Sequence, residues 1–193
     1  MEPSCVSRRR FVSALPLTVL AAPAALSGAV ARSREDGLQQ RGPLGFSGPF
    51  SAEEEAVVAA SPMAQEIARL DGQGYPCSEM MLLAALRRFN LPENHLDAAS
   101  VFGGGVGKRD LCGLLTGGLI AIGLAAGEKY ADRAQVHRVG REASNAYWDW
   151  WLSRGDLHCM GPGTTHETTE EFVRMCQRTA VKLEAVIAPM VAA

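Results

Sequence analysis

After residue 50 the apolar residues recur at helical spacing, and no stretch alternates with the two-residue period of a strand. Ser51 to Glu54 reads as a capping box that opens a helix. Ser61-Pro62 reads as an N-cap followed by proline at the first helical position, with a second segment to about Leu70. Cys77 to Phe89 places apolar residues at 82, 86 and 89, "NLPEN" is a turn, and a short helix is expected over His95 to Val101. Leu111 to Ala126 is a sixteen-residue run whose only polar side chain is Thr116; its length and glycines point to a buried central helix. There Gly113, Gly117 and Ala121 recur every four residues, a smooth stripe along which another helix can approach. Ala131 to Leu152 puts Val139, Ala143, Ala146, Tyr147 and Trp150 on one face, and a last helix from about Glu167 to Ile187 aligns Phe172, Cys176, Leu183 and Ile187. The expected class is all-α: a compact bundle of about six helices around a glycine-rich central one, without internal repeats.

The first 50 residues read differently. "SRRRFV" supplies a positive start, Val12 to Gly28 is mildly apolar and broken by Pro16 and Pro23, and Ala29 to Ala31 is a small-x-small cleavage site. Residues 1–31 are therefore expected to be an export signal cut after Ala31, too short and proline-broken for an anchor. Its Ser-Arg-Arg-x-Phe pattern resembles a twin-arginine signal, which implies export of an already folded protein, to the periplasm or beyond. Residues 32–50, rich in glycine and proline, read as a flexible linker, and 51–193 as the helical domain.

Composition narrows the partners. The net charge is −2; removing residues 1–31 takes three arginines and one glutamate and leaves −4, so neither nucleic acid nor a membrane anchor after cleavage is expected. Cleavage also removes Cys5 and leaves Cys77, Cys112, Cys159 and Cys176. No two of these form a C-x-x-C, which argues against a thioredoxin-like motif and a zinc ribbon, and there is no C-x-x-C-H for c-type haem. Cys77 and Cys112 each begin a helix, where exposed N–H groups favour thiolate. Ahead of Cys112, Gly103, Gly104, Gly105 and Gly107 could turn backbone N–H groups inward around an anion or a sulfide. Cys159 lies in a loop beside His158, a candidate ligand or proton donor; Cys176 sits on an apolar face. Trp148, Trp150 and Trp151 make a dense patch suited to the core or a homodimer contact. "GGGVGK" lacks phosphate-loop spacing and follows no strand.

"GYPCSEMML", "FGGGVG", "CGLLTGGLIAIGLAAG" and two later lone cysteines together resemble the redox-active bacterial family named for its C…GCAxxG…C…C pattern, over about residues 65–180. The resemblance implies that the family's four cysteines are Cys77, Cys112, Cys159 and Cys176, with Gly103, Gly104, Gly105, Gly107, Gly113 and Gly117 as motif glycines. Leu114 replaces the motif's small alanine, Leu111 the usual small or polar residue before the cysteine, and "CMG" is shorter than the usual segment. The domain is also similar to the C-terminal part of split-Soret cytochromes, helical dimers with an iron–sulfur cluster.

Three readings follow. Four thiolates suit an iron–sulfur cluster in an exported electron carrier with an unknown redox partner protein. Alternatively, Cys77 and Cys112 cycle between dithiol and disulfide, both with lowered pKa. In the third, two structural disulfides stabilise a helical module that is not redox-active; zinc is a minor further option. The chain suits a carrier or redox partner better than a turnover enzyme.

Overall fold

The computed structural model describes residues 46, 48–161, 164–166 and 168–192. The expected signal lies outside the described residues, as does the linker up to residue 45. Among the described residues six α-helices follow in order: α1 (Ala52–Ala60), α2 (Pro62–Leu70), α3 (Cys77–Arg88), α4 (Gly113–Lys129), α5 (Arg133–Arg154) and α6 (Thr169–Ala192). Among the described residues there is no strand, and no helix is long and apolar enough to cross a membrane.

Local chemistry sets the helix starts. Ser51 and Glu54 form the reciprocal capping box. Ser61 caps α2 by accepting from Ala64 N–H at 3.1 Å, and its hydroxyl donates to Glu184 of α6 at 2.6 Å. One side chain thus ends an orphan donor and ties two helices. The short helix expected over 95–101 is a 3₁₀ segment, Glu93–Ala99. Helix α6 starts later than expected and continues to Ala192.

Helix α4 is the centre, with Leu114, Leu115, Ala121, Ile122, Ala125 and Ala126 buried. Helix α3 crosses it on one side. A Cβ on Gly117 would lie 2.3 Å from the Ser78 carbonyl oxygen, so the glycine stripe is the crossing surface. On another side α5 seats Tyr147, whose hydroxyl donates to Leu114 O at 3.0 Å and whose ring fills the space over Gly118. The face expected on α5 is rotated slightly: Ala146 is exposed, and Trp151 is fully buried with Tyr147. Trp151 belongs there because its indole N–H reaches Asp156 O at 2.8 Å, which satisfies its polar atom.

The described end of the expected linker is not free. Phe46 is fully buried and packs against Trp150 and Trp151, with ring centroids 5.5 and 4.7 Å apart. Arg178 of α6 donates to the carbonyls of Phe46, Gly48 and Pro49 and to both oxygens of Glu54. That pairing holds the Glu54 carboxyl down at about 2.

Candidate functional site

Two short stretches bring the cysteines together. Leu111 and His158 form one antiparallel bridge. Cys112 N–H donates to Leu157 O at 2.8 Å, and Cys159 N–H donates to Asp110 O at 2.7 Å. Residues next to a bridged pair point to the face opposite that pair. Cys112 and Cys159 therefore project to the same side, their sulfurs within hydrogen-bonding reach of one another. Cys112 is the N-cap of α4 and is buried; Cys159 is partly exposed. Cys77 is the first residue of α3, and its charge would be felt by Cys112 and Cys176 alike. Cys176 is fully buried in α6. All four cysteines are free thiols, so the two structural disulfides of the third reading are not formed in this structure.

The glycines explain the crowding. Gly105 has φ +63°, and a Cβ there would lie 2.5 Å from Asp110 O and 2.8 Å from the Cys159 Cβ. Only glycine lets the turn Gly105–Arg109 fold over the third cysteine. A Cβ on Gly113 would sit 2.3 Å from the Cys77 sulfur. Gly103 packs on Pro76, and Gly104 directs its N–H at the Cys77 sulfur. The inward N–H expected of the glycine loop thus serves the first cysteine; Gly107 faces open space.

Electrostatics single out one sulfur. Burial pushes the Cys77 thiol up, against the opposing N–H groups of Gly104 and Ser78. Cys112 is pushed up by its hydrogen bond to Cys159 and by burial, and Cys176 by burial. The lowered pKa expected for Cys77 and Cys112 at their helix starts is thus reversed: desolvation of a thiolate outweighs the few N–H groups that reach it. Cys159 goes the other way, lowered to about 6 by the Cys112 hydrogen bond and, against partial burial, by the charge of Arg109. The loop holding it is braced: Asp156 accepts from His158 N–H at 3.2 Å and contacts His158 Nδ1 at 2.8 Å, and Thr164 donates to His158 O at 2.7 Å. His158 is therefore engaged with Asp156 on the face opposite Cys159.

The donor set suits an iron–sulfur cluster in chemistry, since four thiols are present. Among the described residues no three histidine, cysteine or carboxylate side chains are placed to hold a metal ion. The backbone of α4 also closes on the Cys77 sulfur at Gly113. Arg109, Tyr147 and Gly118 were not legible as site residues. "TGG" carried a signal for Gly118, but nothing in the spacing tied Tyr147 to it.

The alkylation rate of Cys159 by iodoacetamide is expected to rise with pH through a midpoint of about 6 and level off above it. Replacing Cys112 with alanine removes the donor and should move that midpoint towards about 8.5, the ordinary thiol value. Mass-spectrometric quantification of labelling at residue 159 across pH checks both.

A protein-family model described as "Putative redox-active protein (C_GCAxxG_C_C)" matches residues 75–186, a span that contains all four cysteines. No curated protein and no solved structure matches the chain.

Proposed function

The chain belongs to the C_GCAxxG_C_C family of redox-active proteins, and from that premise we infer that it is a thiol–disulfide redox protein whose working pair is Cys112 and Cys159. The observation that carries this is the backbone bridge that sets Cys112 and Cys159 on the same side of two paired segments, one buried and the other partly exposed with a lowered pKa. A partly exposed thiolate attacks; a buried neighbour resolves. The Cys159 thiolate attacks one sulfur of a substrate disulfide, and that S–S bond breaks as the mixed disulfide forms. The other substrate sulfur leaves as a thiolate and takes a proton from water. Cys112 then attacks the Cys159 sulfur and forms Cys112–Cys159, while its proton passes to the departing substrate sulfur, which leaves as the second thiol. Two electrons pass from the protein to the substrate. Compared with the pairing of Cys77 and Cys112 expected from helix starts, this one uses the sulfur that Cys112 touches.

Mild oxidation of the reduced protein, followed by digestion under non-reducing conditions, is expected to yield a Cys112–Cys159 linked peptide. Its reduction potential should lie above about −300 mV, the level below which a bridge behaves as structural. A Cys77–Cys112 peptide, or a potential below that level, would refute the assignment. An iron–sulfur centre is the second reading, favoured only by the four-thiol inventory. Reconstitution with iron and sulfide that gives a coloured protein retaining metal after desalting, with colour lost in Cys77→Ser, would establish it instead.

A further inference from the structure

The turn Gly105–Arg109 and the loop after α5 carry side chains that the fold does not use. Among the described residues four large apolar side chains are exposed: Val57, Val101, Val106 and Met160. Two of these, Val106 and Met160, belong to the two segments that meet at Cys159, and Val101 lies just ahead of the first. Met160 follows the cysteine directly, Val106 follows Gly105, which packs on the Cys159 Cβ, and Val101 precedes the same turn. Val106 and Met160 share a second property. Both hold left-handed backbone, at φ +57° and +64°. For a β-branched residue such as Val106 that conformation is an outlier. Its turn is left-handed from Gly104 to Gly107, and three of those four positions are glycine. Val106 is 45% exposed, so packing within the chain offsets only part of the strain. Strain that the fold does not recover concentrates at functional sites, and exposed apolar side chains grouped around a reactive atom mark a contact surface.

Resting on the exchange reading above, we propose that Val106 and Met160, the exposed apolar residues of the two segments that meet at Cys159, are the docking surface for a protein disulfide. The substrate class is a disulfide exposed on a polypeptide and flanked by apolar side chains. A small hydrophilic disulfide such as that of glutathione would reach the sulfur without using this surface. Methionine suits the role, because its unbranched thioether adapts to varied partners. The electron and proton accounting is that of the exchange: the partner's S–S bond breaks as the mixed disulfide with Cys159 forms.

The test is single-turnover oxidation of the fully reduced protein by insulin and, separately, by glutathione disulfide, for the wild type, Val106→Gly and Met160→Gln. The rate with insulin is expected to fall about tenfold in each variant, the loss typical of truncating an apolar anchor, while the rate with glutathione disulfide stays unchanged. Val106→Gly relieves the left-handed strain, so its unfolding temperature should equal or exceed that of the wild type, which separates lost docking from lost folding. Equal slowing with both oxidants, an unchanged insulin rate, or no reaction of the wild type with insulin while glutathione disulfide reacts would overturn the docking surface and leave the exchange chemistry standing. No reaction of the wild type with either would remove the exchange reading itself.

Discussion

Replacing Cys159 with serine is expected to slow oxidation by any disulfide by about two orders of magnitude, because the thiols left behind are buried or half-buried and pushed up by that burial. Cys112 is 3% exposed and Cys176 fully enclosed, and burial also pushes the Cys77 thiol up. Cys112→Ser should behave differently. A serine hydroxyl still donates towards the attacking sulfur but cannot resolve, so a mixed disulfide with the substrate should accumulate one-to-one. Intact-mass measurement after a single addition of glutathione disulfide reads both outcomes. Cys176→Ala should leave the rate near that of the wild type. A rate in Cys159→Ser equal to that of the wild type would assign the attack to another sulfur.

The second large effect is on stability. Gly117→Ala places a methyl group 2.3 Å from the Ser78 carbonyl oxygen and 3.1 Å from the Ser78 Cα. Backbone atoms on two crossing helices cannot turn aside as a side chain would. The expected loss is about 3 kcal/mol, the upper part of the range for overpacking, or roughly 10 °C of unfolding temperature for a domain of this size. The same helix supplies its own control. Gly123 and Gly127 are exposed, and a Cβ at either would meet nothing within 4 Å. Alanine there should add about 0.8 kcal/mol each, the ordinary helix preference for alanine over glycine. Thermal unfolding of the three variants side by side checks the contrast. In Gly117→Ala the separation of α3 from α4 should also loosen the Cys77 sulfur, visible as faster labelling of that residue.

Much of the scaffold was legible because its signals are local. Ser51, Ser61 and the glycine stripe of α4 act through neighbours three or four residues away or through the absence of a side chain, and the sequence displays both. Phe46 was misread as linker because proline and glycine surround it; what holds it is Arg178, distant in sequence. The site was half legible. All four cysteines could be named, but their pairing could not. Cys112 meets Cys159 through the bridge of Leu111 with His158, and neither of those residues advertises a strand. The direction of the thiol shifts was missed for a physical reason. Helix-start N–H groups can be inferred from sequence; the depth of burial that overrides them cannot.

The grip of Arg178 on residues 46 to 54 has a consequence for the order of assembly. A ribosome releases the chain from its beginning, yet the carbonyls of Phe46, Gly48 and Pro49 find this guanidinium only once the chain has grown 132 residues beyond Phe46. The stretch just ahead of the first helix therefore stays unfastened until translation has passed Arg178, and a transcript truncated before that codon yields a product whose opening edge never latches.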